Sequence, residues 1–309
     1  MIEDQVTIKK KIVFSGLGLH SGLAIKATLI PSNVNSGIFF VRTDLKKTTP
    51  IKACWKNTVY ANLCTKISNK EGDTVSTVEH LMFALYSLGI TNLLIEISGP
   101  EVPIMDGSAK VFIDEILKNG LIKQNEKFKK LKILKSFEIS IGKKFIKYYP
   151  SNKNFLEIDY TLDYNDQFIK KQKYLLKDAK KNFLKIFDCR TFCHQEDLEK
   201  IFAMGLAKGG SLDNAIVISG NKILNQDGLR CADEFVKHKI LDCLGDLYLC
   251  GFFIQGKIIC RQGGHELTLE LLKKIFEDEK NYVISNLQTS ANYKVSKNFS
   301  YRPTVETII

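Results

Sequence analysis

Proline is scarce in this chain of 309 residues, six in all beside twenty glycines, so collagen-like and proline-rich segments are excluded. No apolar run approaches the roughly 18 residues that a membrane-spanning helix needs. The longest, Leu247 to Ile254, is less than half that length. No Cys-x-x-Cys pair occurs among the eight cysteines, which removes zinc-ribbon and thioredoxin-type motifs. A dinucleotide fingerprint and a Gly-x-x-x-x-Gly-Lys-Ser/Thr phosphate loop are missing as well. The opening residues, Met1-Ile-Glu-Asp-Gln, lack the basic-then-apolar layout of a secretory leader. Arginine is rare, at five of the 45 basic residues, whereas a nucleic-acid reader spends arginine on phosphates and base edges. These absences predict a soluble cytoplasmic protein with reduced thiols, no integral membrane segment and no nucleic-acid partner.

What is present is an ordinary globular composition, 44% hydrophobic and 26% charged, in a length that suits two domains at roughly 100–200 residues each. The net charge of +11 comes from scattered lysines; such a field attracts an anionic or phosphate-bearing substrate. Strands are expected at Ile12–Phe14, Ala24–Ile30, Gly37–Val41 and Leu93–Ile97. A helix over Thr77–Leu88 follows from apolar residues at 3/4 spacing, with Ser76 and Glu79 as a capping box and Gly89 as its stop. Ser108 caps a second helix, Ala109–Lys118. Lysine-rich residues 123–135 read as a linker between domains at 1–122 and 136–282, and 283–309 as a loosely packed tail. In the second half, strands are expected at Phe137–Ile141, Leu156–Leu162 and Ala215–Ile218. Helices are expected around Glu196–Met204 and over Asp233–Leu249 and Leu267–Glu279. Gly89–Gly99 and Gly210–Gly220 echo one another, each running from glycine into a strand that ends Ile-Ser-Gly. Strands clustered with helices, rather than strictly alternating, indicate an α+β fold.

Histidines carry the candidate chemistry. His238, Asp242 and Asp246 recur every four residues on one predicted helix, and at about 100° per residue each step drifts only about 40° around the axis. That stripe is either a solvated face with an ordinary His–Asp pair or a grip on a divalent ion. Glu79-His80 opens the first predicted helix; capping explains Glu79, and a satisfied core position could explain His80. Taken together, His80, His238 and Asp242 make a two-His, one-carboxylate ligand set, with Glu79 left to take a proton from water. His265, after Gly263-Gly264, is either idle beside a helix or positioned to stabilise an oxyanion or protonate a leaving amine. His20 lies in a glycine-rich turn region without an evident partner.

In order along the chain, Ser15-Gly-Leu-Gly-Leu-His-Ser-Gly22, Ser76-Thr-Val-Glu-His-Leu81, Pro100-Glu-Val-Pro-Ile-Met-Asp-Gly-Ser-Ala109, Cys189-Arg-Thr-Phe192, Gly209-Gly-Ser211, Asp227-Gly-Leu-Arg230, Asp233 to Asp246 and Gly263-Gly-His265 resemble the UDP-3-O-acyl-N-acetylglucosamine deacetylases, the zinc amidases of lipid A biosynthesis. The likeness is collinear over about residues 5–280. It implies two similar two-layer β/α sandwich domains with the metal site at their interface. It also implies Zn2+ (Fe2+ being conceivable) held by His80, His238 and Asp242, Glu79 as general base, and His265 as the acid that protonates the departing amine, oriented by Asp246. Thr191 then corresponds to the hydroxyl that steadies the oxyanion. Lys239 and Lys143 match positions that meet the nucleotide diphosphate, Tyr164 one that stacks on uracil, and Phe192 and Leu63 the substrate chamber. The implied partner is a small UDP-linked acylated amino sugar, turned over by a monomer.

Two departures stand out. Cys193-His194 replaces the family's usual Gly-Phe, and Arg261-Gln262 occupies a stretch that often carries lysine. His194 is expected not to be a ligand, and Cys64 to be a buried thiol. Competing readings are a catalytically idle sugar-nucleotide or lipid-binding relative and a basic nucleic-acid-binding protein.

Overall fold

The computed structural model describes residues 4–164 and 168–285. Among them are five α-helices: α1 (Glu79–Leu88), α2 (Lys110–Asn119), α3 (Leu198–Ala203), α4 (Glu234–Tyr248) and α5 (His265–Phe276). The architecture is α+β, two β/α sandwiches packed helix layer to helix layer. One sheet has five strands in the order Ile12–Leu17, Ala24–Pro31, Leu93–Ile97, Ile38–Arg42 and Ile51–Lys52. Its strand Ile12–Leu17 packs on α2, where Phe14 meets Phe112 edge to face. The other sheet has seven strands around Phe253–Arg261. One edge of that strand pairs with Leu156–Asp163; along the other, the partner changes from Lys130–Ile133 to Lys144–Tyr149. The change falls at Gly256, whose φ of +135° and contact with Tyr148 leave no room for a side chain.

α4 lies on this second sheet, α5 lies on α4, and α1 packs directly on α4. Burial reflects these layers. Nine of the ten residues of α1 and thirteen of the fifteen of α4 are buried, so neither helix has a solvated face. The helices meet most closely at Gly245, where an added Cβ would stand 2.0 Å from the Glu79 carbonyl oxygen. None of the described helices is long and apolar enough to cross a membrane.

Several sequence expectations are corrected. Residues 123–135 lie mostly in two strands, Leu121–Lys127, paired antiparallel with Asp4–Ile8, and Lys130–Ile133. The first is an edge with most side chains in solvent, and the second buries only Leu131 and Ile133; lysine on the exposed positions hid the strand signal. Val283–Ser285, expected in the tail, belong to the strand Tyr282–Ser285; residues 286–309 lie outside the described residues. The Ile-Ser-Gly echo marks no equivalent pair: Leu93–Ile97 sits inside the five-stranded sheet, whereas Ile216–Ser219 belongs to a separate three-stranded sheet with Phe192–His194 and Lys222–Ile223. His265 is the first residue of α5 rather than a residue before it.

Candidate active site

The N-terminus of α1 is built differently from a capping box. Thr77 takes φ +56°, an uncommon conformation for a β-branched residue, and its Oγ1 donates to buried Glu101 Oε1 at 2.8 Å. Val78 is the N-cap and makes no side-chain cap hydrogen bond. Glu79, released from capping, accepts from the Thr65 backbone N–H through Oε2 at 3.1 Å. Its other oxygen faces His265 Nε2 at 3.7 Å.

His80, on the next position of α1, meets the polar stripe of α4. His80 Nε2 and His238 Nε2 each lie 3.3 Å from Asp242 Oδ1, and the three donor atoms all fall within 4.8 Å of one another. That carboxylate oxygen is buried with no hydrogen-bond donor, an expensive state unless something else satisfies it. Nitrogen and oxygen donors held about 2.0–2.2 Å from a tetrahedral ion stand about 3.3–3.6 Å apart, so this donor set fits a divalent metal. The Cys189 carbonyl, 3.0 Å away, can only accept; His238 Nδ1 is therefore the protonated nitrogen, and the Nε2 lone pair is left for the site. His80 Nδ1 is buried without a hydrogen-bond partner.

Electrostatics divide the titratable groups. Burial lowers His238 to about 3, keeping its imidazole neutral. Burial works against ionisation of Asp242, but His238 and Lys239 outweigh it and hold the carboxyl well below the usual range. Glu79 is pushed up to about 7 by burial, against the pull of His265 and His80. For His265, burial is outweighed by Asp246 and Glu79, and its imidazole rises to about 9. Asp246 Oδ2 accepts from His265 Nδ1 at 2.7 Å, while Asp246 Oδ1 accepts from Thr65 Oγ1 at 2.6 Å.

These groups line a cavity of about 30 Å³, room for a water molecule. Of the sequence candidates, Glu79, His80, Thr191, His238, Lys239, Asp242, His265 and Leu63 border it. Lys239 Nζ donates to Asp242 Oδ2 at 2.9 Å. Phe192 stands beside, with its ring centroid 6.3 Å from that of His238 and 6.2 Å from that of Tyr164. Lys143 does not reach the cavity. It sits exposed at a hairpin tip, near the end of the sheet where Phe145 pairs with Arg261 and the chain turns toward His265. His194 packs 5.9 Å from Tyr164 and is outside the donor cluster. Arg261 pairs with Asp163. Cys64 borders a neighbouring cavity of about 350 Å³ rather than the donor set, and burial pushes its thiol up to about 12.

Two residues escaped sequence reasoning. His20 lines both cavities; its glycine-rich context was visible, but its neighbours come from elsewhere in the chain. Thr65 holds Glu79 and Asp246 together, and a threonine among Leu63-Cys-Thr-Lys66 carries no motif.

Comparison with known proteins identifies the family. The family described as UDP-3-O-acyl N-acetylglycosamine deacetylase matches residues 5–277. The UDP-3-O-acyl-N-acetylglucosamine deacetylase of Haemophilus ducreyi is 41% identical over 278 residues, covering 89% of this chain and 90% of its own. That of Campylobacter fetus subsp. fetus is 40% identical over 297 residues, 96% and 99% of the two chains.

Proposed function

The chain belongs to the UDP-3-O-acyl N-acetylglycosamine deacetylase family, and on that premise we propose that it is the deacetylase of an early committed step of lipid A biosynthesis. It hydrolyses the acetamide of UDP-3-O-(3-hydroxyacyl)-N-acetylglucosamine to the free amine and acetate. The observation that carries this reading is the convergence of His80, His238 and Asp242 with Glu79 and His265 around one small cavity.

His80, His238 and Asp242 would hold the metal, which we take as zinc; the same two-His, one-carboxylate set also suits Fe2+. When bound, zinc supplies acidification of water and polarisation of the acetyl carbonyl. Glu79, with its carboxyl near 7, is matched to accept a proton from water at neutral pH. Thr191, bordering the cavity, donates its hydroxyl to the developing oxyanion; one such donor is worth about 3 kcal/mol. His265, raised to about 9 by Asp246 and Glu79 against burial, carries its proton at neutral pH and delivers it to the departing nitrogen. Asp246 orients that imidazole. Lys239 holds Asp242 and keeps two further N–H donors for the diphosphate, and Lys143, exposed on its hairpin outside the cavity, would be a second contact for it. Tyr164 stacks on uracil, and Phe192 and Leu63 form the chamber walls. We place this activity in the cytoplasm, in keeping with eight unpaired cysteines, and in a monomer, since both ligand-bearing helices belong to one chain.

Metal analysis combined with deacetylation kinetics on wild type and Glu79→Ala tests the proposal. The variant should keep its metal and lose at least about 100-fold in rate, as expected for removal of a general base. Unchanged turnover would remove Glu79 from the reaction.

A further inference from the structure

Four of the sequence strings have members with no chemical role so far: Cys189-Arg-Thr-Phe192, Asp227-Gly-Leu-Arg230, Asp233-Glu234 and the Asp106-Gly107 pair. They converge on one buried network. Glu234, fully buried in the first turn of α4, accepts through Oε1 from the Arg190 backbone N–H at 3.0 Å and from Arg190 Nε at 2.9 Å. Its Oε2 accepts from Arg190 Nη2 at 3.3 Å and from the Arg230 backbone N–H at 2.7 Å. The remaining Arg190 donors reach the Gly228 carbonyl at 2.6 Å and Asp227 Oδ2 at 3.3 Å. Arg230 Nη1 in turn donates to Asp106 Oδ2 at 2.9 Å and to the Asp188 carbonyl, one residue before Cys189, at 2.6 Å.

The residues on either side of Arg190 give this network a purpose. Cys189 supplies the carbonyl that accepts from His238 Nδ1, and Thr191 borders the catalytic cavity. Glu234 and His238 are four residues apart on α4 and share one face. Segment 189–191 therefore lies on two successive rungs of that face: Arg190 on Glu234, then the Cys189 carbonyl on His238. From the other side, the Thr191 N–H donates to the Gly107 carbonyl at 2.8 Å, next to the Asp106 that Arg230 holds. Gly107 itself has φ +81°, and an added Cβ would lie 2.0 Å from the Asn214 carbonyl oxygen, so this carbonyl has little freedom to move.

We propose that Arg190 and Glu234 are positioning residues that set two chemically different groups at once, the imidazole of His238 toward the metal and the hydroxyl of Thr191 toward the oxyanion, with Arg230 as a second arm that holds Asp106 beside the Gly107 carbonyl and the Asp188 carbonyl beside Cys189. This rests on the ligand role of His238 and the oxyanion role of Thr191 proposed above. Partners that orient a metal-bound histidine typically change metal affinity or activity by about 10- to 100-fold when lost.

The test measures zinc affinity by competition with a chromogenic chelator, the visible spectrum of the cobalt(II)-substituted protein, and kcat and KM at saturating metal. Glu234→Gln keeps the shape and one acceptor but removes the charge, and Arg190→Lys keeps the charge but removes the fork. Each should weaken zinc binding about 10-fold or more, shift the cobalt spectrum and lower kcat with KM little changed. Arg230→Gln, on a partly exposed side chain, should lower kcat about 10-fold and weaken zinc binding less than either buried variant does. If the buried variants lower thermal stability yet match wild type in zinc affinity, spectrum and kcat, the pair is only structural and the proposal is overturned. If neither buried variant folds, Arg230→Gln decides: wild-type kcat and zinc affinity sink the positioning role, and reduced kcat with KM little changed supports it. His238→Ala is the reference. Should it retain zinc, the ligand assignment fails; should it lose zinc while Glu234→Gln does not, only the positioning role fails.

Discussion

α1 and α4 differ from α2 and α5 in what burial does to their polar residues. α2 buries Phe112, Ile113 and Ile116 and leaves much of its surface to solvent, and α5 buries only five of its twelve residues. Their charged side chains make surface pairs such as Lys110–Asp114 and Lys273–Glu270. α1 and α4 are pressed against one another where the two sandwiches meet and have no such face. Glu79, His80, His238, Asp242 and Asp246 are therefore removed from water together. A charge on α2 needs no explanation, whereas a charge on the α1–α4 seam must be paired, hydrogen-bonded or metal-bound.

The sharpest way to break this comparison is to take away whatever satisfies the seam. Stripping metal with a chelator should abolish deacetylation, and added zinc should restore it. Thermal unfolding should rise with zinc as mass action requires, by about 4 kcal/mol at a thousandfold excess over Kd. A chelator-treated protein of full activity would leave the buried Asp242 unexplained. Next in size is Gly245→Ala, which puts a methyl against the Glu79 carbonyl. Overpacking of this kind costs about 1–3 kcal/mol. Because it also parts Glu79 and His80 from α4, kcat/KM should fall by about tenfold or more, read by melting and kinetics on the same samples.

The pH profile sharpens the comparison further. In its proposed role as general base Glu79 must be deprotonated, so activity should climb as pH rises through about 7. In its proposed role as general acid His265 must be protonated, so activity should decline as pH passes about 9. Glu79→Gln should lose the acid limb from whatever rate remains, and retention of that limb would assign it to another group. The smallest effects belong outside the seam. His194→Ala should keep its bound metal at the wild-type level by elemental analysis. Lys118→Ala, on the exposed face of α2, should change stability by no more than about 0.5 kcal/mol in denaturant titration.

Local pattern made much of this molecule legible. Leu93–Ile97 and Phe137–Ile141 form strands over the expected residues, because alternation or a compact apolar run survives any tertiary setting. The i, i+4 spacing of His238 and Asp242 placed both on one face of a helix, which needs no knowledge of the rest of the chain. Lysine masked the strands at Leu121–Lys127 and Lys130–Ile133: the first is an edge that places no demand on its exposed residues, and the second, paired on both sides, is too short for its two buried residues to show a pattern. Ser76 and Glu79 formed a plausible capping box, yet Thr77 turned into a left-handed conformation and the carboxylate went to the cavity. His20 and Thr65 had no legible role because their partners are far away in sequence.

Sequence by itself determined the elements with a strong apolar period, the α+β class and the identity of the chemical groups, because these follow from side-chain period and residue type. Whether the polar stripe of α4 faced water or a metal was decided only when α1 packed against it. Burial and proximity arise from both helices at once: Gly245 admits the Glu79 backbone, His80 arrives beside His238, and the loss of water leaves Asp242 a carboxylate oxygen with no hydrogen-bond donor.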